Sequence, residues 1–154
     1  MAHEIFEYSY FIDVPVDQVY AHLAEPEHYA KLSPLVSEVL HLRRGVNAEG
    51  QSFFEYDTVE ALHFAGIIPY NNPIHVIATI TQANRQIASE VDTRFGVKMG
   101  FLFDLEAENG GTRIRETVHA TAPRLVQGYV VDQAKQVQQA RAGILKSRLE
   151  HAPA

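Results

Sequence analysis

The chain has 154 residues, 46% hydrophobic and 21% charged, which suits one domain with a single core spanning 1–154. Its net charge of -6 argues against a nucleic-acid binder and against electrostatic docking to anionic membranes, with Arg43-Arg44 as a local basic exception. Without cysteine, disulfides, thiol nucleophiles and cysteine–zinc sites are excluded, and a reducing cytoplasm is the expected location.

No apolar run approaches the ~20 residues that span a bilayer, so no stable membrane insertion is expected. The opening MAHEIFEY lacks the basic, apolar and small-residue order of a signal peptide. No internal repeat, linker or low-complexity segment interrupts the chain.

Residues 6–14 alternate, with Phe6, Tyr8, Tyr10, Ile12 and Val14 on one face, as in a half-buried strand. Pro15 breaks it and suits the first turn of a helix, which the spacing of Val16, Val19, Tyr20 and Leu23 carries to about residue 24. Pro26 stops that helix; a second short one is expected over 27–32, ended by Ser33-Pro34. Residues 35–43 read as a strand of mixed alternation and 45–50 as a polar turn. Residues 52–62 form the next strand. It has Phe54, Tyr56, Thr58 and Leu62 on one face, with Glu60 among them.

The segment 63–73 mixes Gly66, Pro69, Asn71, Asn72 and Pro73 with Phe64, Ile67, Ile68 and Tyr70. Its two prolines argue against a central strand and for a loop with an apolar tip, a candidate gate. Three cleaner strands follow, with inward sets Ile74, Val76, Ala78, Ile80; Ile87, Ser89, Val91, Thr93, Phe95; and Met99, Phe101, Phe103, Leu105. Asn109-Gly110-Gly111 signals a hairpin. The last strand, 112–121, turns Ile114, Glu116, Val118 and Ala120 inward.

A helix of roughly 40 Å closes the chain over 123–150. Its apolar stripe is Val126, Val130, Val137 and Ile144, flanked by Tyr129, Ala134, Ala140 and Leu145. Gln133 and Arg141 project near the stripe's centre. A long amphipathic helix after a run of strands needs a surface to lie against. A curved antiparallel sheet that grips it supplies one.

This order resembles the helix-grip fold of the START/Bet v 1-like (SRPBCC) superfamily, in its polyketide cyclase/dehydrase and lipid-transport branch. The likeness is carried by FIDVPVDQVYAHLAEPEHYAKLSPLVSEV (11–39), with its small-Pro break, its "D/E-P" break and its "W-x-P-x-V"-like step into strand two. NGGTRIRETV (109–118) and the long last helix complete it. Leu32 stands where the branch commonly has Trp, and the glycine-rich loop of the plant proteins is missing. The resemblance implies an α+β helix-grip domain: seven curved antiparallel strands and two short helices wrapped around a long C-terminal helix. It also implies an internal cavity for a lipid, quinone or polyketide-like molecule. It brings no shared catalytic motif.

The inward hydroxyls of Tyr8, Tyr10, Tyr56, Thr58, Ser89, Thr93 and Tyr129 point the same way, since a closed core avoids unpaired hydroxyls and a pocket tolerates them. Expected ligand contacts are Tyr8, Tyr10, Tyr29, Tyr56, Phe64, Ile67, Ile68, Tyr70, Phe101, Phe103, Glu116, Tyr129 and Gln133. Glu116 on an apolar face needs a partner, a proton or water. Helix and strand rises bring Gln133, Val137 or Arg141 opposite it, so it is either tied to Arg141 or a polar anchor on the cavity floor. Glu60 and His63, near the apolar segment, are the other acid/base candidates.

Glu55, Asp57, Glu90 and Asp92 read as a solvated sheet face. The eight histidines show no HxH, HExxH or i,i+4 pair, so no metal site is expected, nor a cofactor, since no nucleotide fingerprint is present. The leading function is non-covalent binding or transport of a small hydrophobic or amphipathic molecule. The alternatives are a cofactor-independent cyclase or dehydratase using Glu116, Glu60 or His63, and a protein-interaction role.

Overall fold

Alternation of inward apolar and outward polar residues builds seven strands, and breaks at proline and glycine separate them. The computed structural model describes residues 1–64, 67–93 and 96–151, apart from the side chains of His63 and Phe64. The strands are β1 (Ala2–Ile12), β2 (Leu40–Val46), β3 (Ser52–Phe64), β4 (Ile68–Gln82), β5 (Gln86–Thr93), β6 (Lys98–Glu108) and β7 (Gly111–Ala122). They form one antiparallel sheet in the order β1-β7-β6-β5-β4-β3-β2. Helix α1 (Val16–Leu23) and a single 3-10 turn (Pro26–Tyr29) connect the two edge strands, and helix α2 (Gln127–Glu150) ends the chain. This is the helix-grip architecture. No helix among the described residues is long and apolar enough to cross a membrane.

The β6–β7 hairpin follows from its turn residues. Asn109 and Gly110 both have positive φ, 51° and 82°, which is the two-residue turn whose twist matches that of the strands. Gly111 then lies so close to β1 that a Cβ there would sit 2.6 Å from the Ile12 carbonyl oxygen. In β7, Ile114, Val118 and Ala120 are fully buried, with Glu116 among them at 2% exposure. Ile114 packs in one core with Ile12 of β1, Val19 and Leu23 of α1, and Leu145 of α2.

Three local expectations need correction. The second short helix is only the 3-10 turn from Pro26, ended before Lys31, whose φ of 61° breaks helical geometry. β2 starts at Leu40 rather than near residue 35; ahead of it Val36 forms an isolated bridge to Glu60, and the Glu38 carbonyl accepts from the Thr58 hydroxyl at 2.6 Å. The segment 63–73 is not a loop in its described part. β3 and β4 run on as a hairpin, pairing His63 with Pro69 and Val59 with Pro73. Among the described residues β5 pairs with β4 from Ile74 onward, and both prolines lie outside that stretch. There a proline nitrogen that faces away from β3 removes no described ladder bond.

Helix α2 lies mainly against β1 and β7. Its buried line is Val131, Ala134, Gln138, Ala142 and Leu145. That line is rotated by about 100°, one residue, from the expected valine stripe. Small residues let the helix approach the sheet closely, and Gln138 Nε2 donates to the Glu116 carbonyl at 2.9 Å. The valines Val126, Val130 and Val137 face an open space over β3 to β6 instead.

Candidate functional site

That space is a cavity of about 720 Å3. The sheet supplies Glu60 and Leu62 from β3, Ile68, Tyr70 and Asn72 from β4, and Met99 and Phe101 from β6; Thr93 and Val97 flank them. Pro123, Leu125, Val126, Tyr129, Val130, Gln133, Ala134 and Val137 form the opposite wall. Its outer rim is apolar and wet: Leu125 is 100% exposed and Ile68 56%. A smaller chamber of about 110 Å3 continues inward past Tyr29, Leu32, Tyr56, Ser89, Phe103 and Arg141. Glu60, Thr93, Met99, Phe101 and Val137 line both spaces. Physically, the cavity exists because α2 is seated at one side of a curved sheet, leaving the far strands without a packing partner.

Polar groups on these walls are few. Glu60 sits opposite Asn72 in the β3–β4 register, and Asn72 Nδ2 donates to Glu60 Oε1 at 3.3 Å. Burial raises the Glu60 pKa, against the opposing Asn72 hydrogen bond and the Arg141 charge. Burial and the neighbouring Tyr129 hydroxyl push the Tyr70 phenol up to about 12. Tyr29 donates to the Leu23 carbonyl at 2.7 Å, which ties the 3-10 turn to α1; burial raises its pKa and that of Tyr56.

Behind the inner chamber lies a buried charge cluster. Arg141 donates to Glu116 Oε1 through Nε at 3.0 Å and Nη2 at 2.6 Å. Tyr10 donates to Glu116 Oε2 at 2.6 Å. The Arg141 side chain is 11% exposed, and its guanidinium lies over the Phe101 and Phe103 rings at 5.2 and 5.6 Å. Burial works to lower the Arg141 pKa, but the Glu116 carboxylate outweighs it and the net direction is upward. Burial first, then the Glu116 charge, raises the Tyr10 phenol. Every oxygen of Glu116 thus has a donor, in an arrangement that joins β1, β7 and α2.

A family model described as polyketide cyclase / dehydrase and lipid transport matches residues 3–150. The chain belongs to that family. Comparison with curated proteins returns no match. Among solved structures, a START superfamily protein from Mycobacterium smegmatis superposes with a TM-score of 0.73 at 14% identity, covering 99% of this chain and 100% of that one. The Zhui aromatase/cyclase from Streptomyces gives 0.69 at 15% identity, covering 96% of each. The di-domain ARO/CYC StfQ of the steffimycin biosynthetic pathway gives 0.71 at 13% identity; this chain is covered to 97% but spans only 51% of that chain. At such identities these likenesses speak for the fold.

In this polyketide cyclase/dehydrase and lipid transport family member, the structure gathers Tyr29, Tyr56, Glu60, Ile68, Tyr70, Phe101, Phe103, Tyr129 and Gln133 on the walls of the two chambers. It does not bring Tyr8, Tyr10, Glu116 or Ile67 there. Tyr8 and Tyr10 lie on the edge strand under the seated helix, Glu116 stands behind Arg141, and Ile67 is 78% exposed at the hairpin tip. The side chains of His63 and Phe64 lie outside the described residues. Sequence reasoning read Thr93 as an inward hydroxyl of a pocket, where it lies, but did not single out Asn72, Met99 or the Pro123–Leu125 corner as walls. Asn72 had a signal: it shares the period-two face of Tyr70 and Ile74. Among the described residues no group of three His, Asp or Glu stands where it would hold a metal ion.

Proposed function

We infer that this chain binds and carries a small hydrophobic or amphipathic molecule, with a lipid, quinone or polyketide-like skeleton, without reacting with it. The observation that carries this reading is the cavity of about 720 Å3 with largely aliphatic and aromatic walls. Sites for drug-sized ligands span roughly 300–1,000 Å3 with a few placed polar groups. The family description, which names lipid transport, supports it. So does the state of Glu116, whose carboxylate is taken up by Arg141 and Tyr10 and has no free edge for proton transfer. The cysteine-free composition suits work in the cytoplasm.

The test is native mass spectrometry of the purified protein, followed by thermal melts with lipids, quinones and aromatic polyketides. A ligand at about 100 times its Kd adds about 2.7 kcal/mol of stability, so the melting temperature rises. A protein that carries no small molecule and whose melting point none of these moves would overturn the reading.

One observation favours a second reading, a cofactor-independent cyclase or dehydratase. Glu60 lines both chambers and its carboxyl pKa is raised, which suits an acid or base. Under that reading Glu60→Gln abolishes turnover of a linear polyketide-like substrate with little loss of binding; under the carrier reading the substrate is recovered unchanged from both proteins.

A further inference from the structure

A charged-and-amide pair on the cavity wall has an unmade hydrogen bond. Asn72 turns its Nδ2 to Glu60 Oε1. That leaves Asn72 Oδ1 buried with no hydrogen-bond partner among the described residues, on a side chain whose residue is only 8% exposed. Both side chains line the 720 Å3 cavity, between Leu62, Tyr70 and Met99. A buried carbonyl oxygen without a donor is costly, and native proteins keep one where something else supplies the donor. Glu60 adds to the same chemistry. An ionised carboxylate only accepts, and one Asn72 N–H leaves most of its lone pairs unused.

We propose that Glu60 and Asn72 form an acceptor station that receives a hydrogen-bond-donating hydroxyl of the bound molecule, so that the preferred ligand is a neutral phenol or alcohol on an apolar body. The proposal rests on the ligand-cavity reading and names the head group it would hold. Ligands that only accept do not fit. A ketone or ester would set lone pairs against lone pairs, and an ionised carboxylic acid would add charge repulsion from Glu60. The Arg141 guanidinium cannot rescue an acid, because Glu116 already occupies it. A cationic amine would have to give up its hydration between largely aliphatic and aromatic walls.

Naphthalene, 2-naphthol and 2-naphthoate share one ring system and differ in the head group. Each is titrated at pH 7 against the full chain loaded with the neutral fluorophore N-phenyl-1-naphthylamine. We expect 2-naphthol to displace the fluorophore about tenfold better than naphthalene, the worth of one well-placed hydrogen bond, and 2-naphthoate to be the weakest. The double variant Glu60→Leu/Asn72→Leu removes both acceptors together with the hydrogen bond between them, and should erase the advantage of 2-naphthol. Glu60→Gln, which keeps the shape, should strengthen 2-naphthoate relative to naphthalene and serves if the double variant does not fold. Equal displacement by naphthalene and 2-naphthol, or a preference for 2-naphthol that survives in the double variant, overturns the station while leaving the cavity reading intact. If the fluorophore itself does not bind the unaltered protein, the cavity reading falls and this proposal with it.

Discussion

Replacing Arg141 with methionine removes the counter-charge of a carboxylate that is 2% exposed while keeping an unbranched side chain in the gap. Breaking a buried pair from one side costs about 3–5 kcal/mol, because the remaining charge is left in a poorly polarisable surrounding. In a domain of this size about 2–4 °C of melting temperature goes with each kcal/mol, so the loss should be roughly 6–20 °C at pH 8. Adding Glu116→Gln should recover most of the loss, since Tyr10 and the methionine then face a neutral amide. Urea unfolding of the two single variants and the double variant at pH 8 measures this. A loss below about 1 kcal/mol in Arg141→Met, or a double variant no more stable than Arg141→Met, would refute the reasoning that the pair is a buried, mutually dependent tie.

Other consequences are smaller. Gly111→Ala puts a methyl 2.6 Å from the Ile12 carbonyl, so urea unfolding should show a loss of about 1–3 kcal/mol, and an unchanged midpoint would mean that β1 yields freely. On the outer face of the sheet the protonated His75 donates to Asp57 at 2.7 Å and to Glu55 at 2.8 Å, and first the Asp57 bond, then that of Glu55, raises its pKa. Its charge contributes stability below the unfolded value of about 6.5, lost as pH rises through the folded value. Those same bonds depress the pKa of Asp57 and Glu55, so their share is lost only at more acidic pH. His75→Gln should thus destabilise more at pH 5.5 than at pH 8.5 in thermal melts, and the reverse order would contradict the assignment. Glu116→Gln alone should leave the affinity of the naphthalene probes within about twofold, because Glu116 stands behind Arg141 rather than on the cavity wall; a tenfold change, read by the same displacement assay, would bring it into the binding site.

The parts that were legible in the sequence are those where one period governs burial. β7 alternates without interruption, and its inward set Ile114, Glu116, Val118 and Ala120 is buried as the alternation predicts. The Asn109-Gly110 turn is read from φ requirements that few residues meet. Opposition of Arg141 to Glu116 follows from the rise of a helix running back over a strand, although Gln138, which bonds the same residue's carbonyl, escaped that reasoning. The rest depended on neighbours. Pro69 and Pro73 lie in β4 outside the stretch that the described residues of β5 pair with, and where a neighbouring strand pairs is not a local property. The face of α2 was misjudged by one residue because apolar side chains were assigned to the core. Beside the cavity the valines Val126, Val130 and Val137 face the empty space, while the buried line runs through Val131, Ala134, Gln138, Ala142 and Leu145. Tyr10 looked like a wall residue for the same reason: its hydroxyl's partner, Glu116, is 106 residues away and is brought near only by the pairing of β1 with β7.

The most direct test of the cavity as a ligand site is to fill it. Val130 lies on the cavity wall but off the buried line of α2, so Val130→Trp adds bulk where the sheet contacts are not disturbed. Fluorescence titration with N-phenyl-1-naphthylamine should give saturable binding to the unaltered protein and at least tenfold weaker binding to Val130→Trp, with the two proteins melting within a few degrees of each other. Equal affinity in the two proteins, or no saturable binding in the first, would contradict the account.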